Sequence, residues 1–314
     1  HVDTDYLRDC GIGFASAPGS NANSVAEYIT AALLLMSADQ QKPLRGATLG
    51  IVGVGNVGSR VVKKAAALGM KCLLNDPPKY RETGDARYRP LSAVLPEADY
   101  VTVHVPLEPG GQDPTWEMCN HAFFAAMKQG ACFLNSSRGQ VVDEKALMVP
   151  LESGKIPLTV LDVWQNEPEI NPVTVAHAFL GTPHIAGYSY DGKVAATVML
   201  YDALCACLGR SPEVGLLDLL PPSPIPTLEV TDEVGDDEET LRTLIPNLYD
   251  IRKDDFGLRR AAAAGEKRGK EFDLLRKNYP KRREFFSTTV IIPAARQGLI
   301  ATVQGLGFKV EARG

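Results

Sequence analysis

The stretch from Thr48 to Leu68 constrains the fold more than any other part of the chain. Leu49-Gly50-Ile51-Val52 reads as a buried strand, Gly53, Gly55 and Gly58 follow at the spacing G-x-G-x-x-G, and Val57 to Leu68 has helical periodicity. Glycines at that spacing permit a tight turn, close approach of backbone to a pyrophosphate, and close packing of helix on strand. The helix N-terminus then faces the anion. Glycine-rich turns are common, so the pattern means little alone; its position between strand and helix is what makes it point to a dinucleotide. Asp76 follows Gly58 by 18 residues (76 − 58), close to the ~20 expected of an acid that accepts hydrogen bonds from ribose hydroxyls and repels a 2′-phosphate. NAD is therefore expected rather than NADP. Asp76 also precedes Pro77 and Pro78, so a strand-end turn residue is a second reading of it.

The rest of the chain extends this unit. Short aliphatic runs at Lys71 to Leu74, Tyr100 to Val105, Ala131 to Asn135 and Leu158 to Val163 alternate with helix-period segments at Ala122 to Lys128 and Glu144 to Glu152. Strand and helix in that rhythm predict an α/β, doubly wound parallel sheet of the Rossmann type. Ahead of it, Val25, Ile29, Leu33 and Met36 predict one long amphipathic helix from Ser20 to Ala38. A final helix is expected from Gly192 to Leu208, and Pro221, Pro222, Pro224 and Pro226 mark a linker. Domain limits of 20–186, 187–225 and 226–314 follow. The last is expected to be a small α+β domain, with an acidic run at Asp232 to Glu239, a basic stretch at Arg276 to Arg283 and a strand at Thr288 to Ile292.

A chain of 314 residues exceeds what one hydrophobic core usually serves. With 45% hydrophobic and 23% charged residues it is an ordinary globular composition, and a net charge of −5 disfavours nucleic acid as a partner. The six cysteines include no C-x-x-C pair, so no zinc site or disulfide scaffold is suggested and a reducing cytoplasmic setting is expected. The longest aliphatic run, Ala31 to Met36, is far too short to span a bilayer.

Three polar residues stand at the ends of expected strands: Arg138 in Asn135-Ser136-Ser137-Arg138-Gly139, Glu167 in Asp162-Val163-Trp164-Gln165-Asn166-Glu167-Pro168, and His184 in Thr182-Pro183-His184-Ile185-Ala186-Gly187. Open parallel sheets bind ligands at the carboxyl ends of their strands. Oxidising a hydroxy acid needs a base for the hydroxyl proton, a hydride acceptor and a cation for the carboxylate. His184 suits the base, Glu167 can orient its ring, and Arg138 can grip a carboxylate through paired hydrogen bonds. Taken singly, each has a plainer reading: Arg138 as a surface residue, Glu167 as a solvated loop residue, His184 as a packed histidine. His104 is read as structural, and His1, His121 and His177 as surface or packing residues. No metal is called for.

Together these segments resemble the D-2-hydroxyacid dehydrogenases, whose Arg, Glu and His match Arg138, Glu167 and His184. The resemblance implies that Asp162 contacts the nicotinamide end and that Asn56, Val57, Val105, Ser136, Ser137, Arg138 and Gly187 line the cofactor. Val105 stands where a Thr is common. Asn75-Asp76-Pro77-Pro78, the Tyr188 that follows His184-Ile185-Ala186-Gly187, and the tail from Tyr249-Asp250-Ile251-Arg252 to Arg283 are similar to one branch of the family. That branch oxidises a phosphorylated four-carbon 2-hydroxy acid and carries a C-terminal dimerisation domain. By this resemblance Tyr188 contacts substrate, the protein is a homodimer, and residues 1–19 are the remnant of a flavodoxin-like substrate lobe that extends ~70 residues further upstream in the family. The runners-up are 3-phosphoglycerate dehydrogenase and a non-catalytic NADH-sensing binding protein on the same fold. The basic stretch Arg276 to Arg283 has two readings: an attractor of the substrate phosphate, within the chain or across the dimer, or a solvated basic helix that balances the acidic run.

Overall fold

The computed structural model describes residues 2–231 and 235–314; His1 and the start of the acidic run, residues 232–234, lie outside them. Six parallel strands form the main sheet: β1 Thr48–Val52, β2 Lys71–Asn75, β3 Tyr100–Val103, β4 Cys132–Asn135, β5 Thr159–Leu161 and β6 Leu180–Gly181. Their order is β2-β1-β3-β4-β5-β6, so the order reverses at β1. Every residue of β3, β4 and β5 is buried, which is why these strands read as unbroken apolar runs rather than alternating ones.

The long N-terminal helix is Ala22–Gln40, but it is not amphipathic as expected. Its polar residues Ser24, Glu27, Thr30 and Ser37 are buried along with its apolar ones. One side packs on the helix Asn56–Ala67 and the other on the helix Asp237–Leu248 of the C-terminal region. Partners distant in sequence satisfy the polar groups: Glu27 accepts from the Phe285 amide at 2.9 Å, and Ser24 donates to Glu284 at 2.6 Å.

The C-terminal region has its own parallel sheet, β7 Thr227–Glu229, β8 Thr289–Pro293 and β9 Lys309–Arg313, in that order. Its apolar core is continuous with that of the main sheet: Val290, Ile292, Leu299 and Phe308 join one cluster with Ile29, Leu33, Leu49 and Val160. The helix Ile251–Ala262 lies on the β6 edge, where Asp255 accepts from the Gly181 amide at 2.8 Å. Tyr6, Ile12 and Phe14, and Leu200 and Leu204 on the helix Tyr190–Cys207, are exposed. No described helix is long and apolar enough to cross a membrane.

Candidate active site

Each residue singled out in the sequence follows the carboxyl end of a strand, from Asp76 after β2 to His184 after β6. A groove of about 680 Å³ runs along the β2-β1-β3 end, lined among others by Gly53, Gly55, Asp76, His104 and Val105. Gly53 has φ of 85°, and a side chain there would lie 2.5 Å from the His104 carbonyl oxygen. A Cβ on Gly58 would stand 2.0 Å from the Gly53 carbonyl oxygen, so the helix Asn56–Ala67 can start this close to β1 only from glycine. No side chain caps that helix N-terminus, which leaves its first backbone N–H groups unanswered next to Gly55, which lines the groove. A glycine cradle, an uncapped helix end and an acid on the neighbouring strand fit a dinucleotide.

Asp76 is the strand-end turn residue that one of its two readings made it. Its Oδ2 accepts from the Val54 amide at 2.8 Å and its Oδ1 from the Lys79 amide at 3.0 Å, capping the helix Pro77–Thr83. Each carboxylate oxygen keeps a second lone pair for a ribose hydroxyl. The loop 106–115 forms the facing wall, tied across the groove by the Arg81–Asp113 ion pair; its sequence carried no signal beyond two glycines. His104 is buried, with Nε2 3.0 Å from Thr102 Oγ1, and burial lowers its pKa to about 3. It is a neutral wall of the groove.

At the other end, His184 Nδ1 and Glu167 Oε2 are 2.7 Å apart, while Glu167 Oε1 accepts from the Trp164 amide at 2.8 Å. His184 has φ of 57°, a left-handed conformation rare outside glycine, and the surrounding hydrogen bonds enforce it. Buried Asp162 accepts from Thr182 Oγ1 at 2.6 Å and from the amides of Ile185 and Ala186 at 2.8 and 2.9 Å. Burial pulls the His184 pKa down, but the Glu167 hydrogen bond and the charges of Asp162 and Glu167 outweigh it, so the net shift is upward. Burial dominates at Asp162, whose pKa is raised.

Arg138 is exposed just beyond β4, its Nη1 donating to the Ser137 carbonyl at 2.7 Å. Asn135 fixes this turn, accepting from the Ser137 amide and hydroxyl at 3.0 and 2.8 Å, and Ser136 Oγ lies 3.5 Å from His104 Nδ1. Gly187 and Tyr188 continue the His184 loop. Tyr188 is half-buried beneath Arg276, which sequence reasoning placed only within a basic stretch.

That stretch is not the solvated helix considered for it, nor is it all available to substrate. Arg282 and Arg283 are only 6% and 9% exposed. Arg282 donates to the carbonyls of Ser24 and Ala186 at 3.1 and 2.8 Å, and Arg283 pairs with Asp191 at 3.0 Å. Arg282 is held through Nη2 alone, its Nε and Nη1 being buried without hydrogen-bond partners over the Tyr249 ring. His121 and His177 are exposed, as expected of surface residues.

Residues 27–186 match the family model for the D-isomer specific 2-hydroxyacid dehydrogenase NAD binding domain, and residues 219–307 match a domain of unknown function. Erythronate-4-phosphate dehydrogenase of Cronobacter sakazakii is 41% identical over 98% of this chain and 79% of its own length. That of Salinibacter ruber is 43% identical over 99% and 81%. Among solved structures, D-lactate dehydrogenase from Aquifex aeolicus, complexed with NAD and lactic acid, matches with a TM-score of 0.53 and 27% identity over 67% of this chain and 73% of that one. The chain belongs to the D-isomer specific 2-hydroxyacid dehydrogenase family and, within it, to the erythronate-4-phosphate dehydrogenases.

Proposed function

We propose that this protein oxidises the 2-hydroxyl of 4-phospho-D-erythronate to give 3-hydroxy-2-oxo-4-phosphobutanoate, a step in pyridoxal 5′-phosphate biosynthesis. The observation that carries the reading is the 2.7 Å pair of His184 and Glu167 at the carboxyl edge of the sheet, on a loop whose backbone is fixed by Asp162. Arg138 binds the substrate carboxylate and polarises the adjacent carbon. His184 Nε2 accepts the hydroxyl proton, and Glu167, holding Nδ1, stabilises the imidazolium formed. NAD, when bound, supplies the acceptor for the hydride from C2. Gly53, Gly55, Asn56, Val57 and Gly58 would hold its pyrophosphate and Asp76 its adenosine ribose. Val105, Ser136, Ser137, Asp162 and Gly187 would line the path to the nicotinamide, and Tyr188 would touch the substrate.

The protein works as a homodimer paired through its C-terminal domain, in the cytoplasm. Six free thiols suit a reducing compartment, and the exposed Phe256 on the helix Ile251–Ala262 suits a subunit contact. The test follows NADH formation with 4-phospho-D-erythronate and, in parallel, 3-phosphoglycerate. Faster turnover of the first is expected; equal or greater turnover of the second overturns the substrate assignment. Sedimentation at micromolar protein should give twice the mass of the chain.

A further inference from the structure

We propose that Arg276 holds the phosphate of the substrate, so that the C-terminal region supplies a specificity residue to the active site of its own chain. The proposal rests on the phosphorylated substrate argued above. Arg276 lies in the last turn of the helix Arg268–Lys277. Cations there usually answer the helix dipole and the last carbonyls. Arg276 does not: its guanidinium turns to Tyr188, donating from Nη2 to the hydroxyl at 3.1 Å and lying 5.6 Å from the ring centroid. Its Nε is buried with no hydrogen-bond partner. A guanidinium has five N–H donors; with one given to Tyr188 and Nε buried, the three others on Nη1 and Nη2 remain for a ligand.

A cavity of about 500 Å³ opens beside this group, lined by Tyr188, Lys270, Asp273, Leu274, Arg276 and Lys277. Lys193 stands over the same tyrosine, its Nζ 4.7 Å from the ring centroid. Four cations against one acid make a site for a dianion. Arg138 follows β4 and His184 follows β6, the edge strand, so a chain gripped by its carboxylate at Arg138 and by its C2 hydroxyl at His184 continues past the sheet edge. Tyr188 lies there, four residues beyond His184, with Arg276 above it. The loop that carries His184 runs on through Gly187 to Tyr188, whose hydroxyl Arg276 holds. A phosphate accepts paired hydrogen bonds from a guanidinium in a fixed plane, which the lysines at the rim cannot provide.

The experiment compares wild type, Arg276→Gln, Arg276→Lys and the surface control Arg260→Gln, each checked by thermal unfolding. With 4-phospho-D-erythronate, KM should rise at least ~30-fold in Arg276→Gln, as when a charge-assisted hydrogen bond is lost, with partial rescue in Arg276→Lys and none of this in Arg260→Gln. kcat/KM for unphosphorylated D-erythronate, read at a pH on the plateau above the His184 pKa, should stay the same. An unchanged KM for the phosphorylated substrate overturns the proposal, as does an equal loss on D-erythronate, which would assign Arg276 to holding Tyr188 in place. If wild type fails to oxidise 4-phospho-D-erythronate, the proposed function falls. The role of Arg276 is then decided by titrating inorganic phosphate into the NADH-loaded protein: binding lost in Arg276→Gln supports it, and equal affinity overturns it.

Discussion

His184 depends on its neighbours for both its shape and its basicity. Its left-handed backbone is set by Asp162 below it, and its raised pKa by Glu167 beside it. Only the neutral ring can accept the hydroxyl proton, so kcat/KM should rise with pH through a pKa above 6.5. Glu167→Gln removes the hydrogen-bonded anion that does most to hold the pKa up and leaves Asp162 alone against burial and Arg276. The acid limb of the pH profile should therefore move to lower pH, while the plateau rate falls at least ~10-fold as the imidazolium loses its counter-charge. An unmoved limb would remove Glu167 from that part. The Arg, Glu and His of this site were legible in the sequence because each lies in a short local motif at the end of a strand. Arg276 was legible only as one end of a basic stretch, because its contact with Tyr188 is made by the folding of a helix far along the chain.

Strands β3, β4 and β5 were legible because burial on both faces leaves unbroken apolar runs, and the glycine turn fixes where the first helix starts; β6, two residues long, was not read as a strand. That start is tight enough to test. Gly58→Ala places a methyl group 2.0 Å from the Gly53 carbonyl oxygen, so loop and helix must separate. NAD affinity, measured by fluorescence titration of NADH, should fall at least ~10-fold, with a loss of stability on the order of 1–3 kcal/mol. An unaltered affinity would show that the loop tolerates the shift. The helix Ala22–Gln40 is where pattern reading misled. Ser24, Glu27 and Ser37 mimic a solvent face, yet their partners are Glu284, the Phe285 amide and Glu238 from the opposite end of the chain. A hydropathy pattern records polarity, not whether water or protein answers it. Burial raises the Glu27 pKa, against the pull of the Lys64 cation beside it, where an exposed glutamate would keep its ordinary value.

The two sheets of the molecule share one core, and ion pairs cross between their regions. Arg283 and Asp191 meet at 3.0 Å with side chains 8% and 1% exposed, and Asp191 also accepts from the Glu284 amide at 2.9 Å. Removing one member of a buried pair leaves the other charge unanswered, so Asp191→Ala should cost about 3–5 kcal/mol in denaturant unfolding. Wild type should lose both sheets in a single transition. Two separated transitions, or a loss below ~1 kcal/mol, would show the regions to be independent. Arg282 adds a link of another kind, because its guanidinium holds the carbonyl of Ala186, two residues from the proposed base. This gives the C-terminal region a one-way history. A tail of this sort can be gained as an appendage on a working dehydrogenase, but once the loop beside His184 relies on Arg282, a deletion that sheds the tail also disarms the enzyme, and descent retains it.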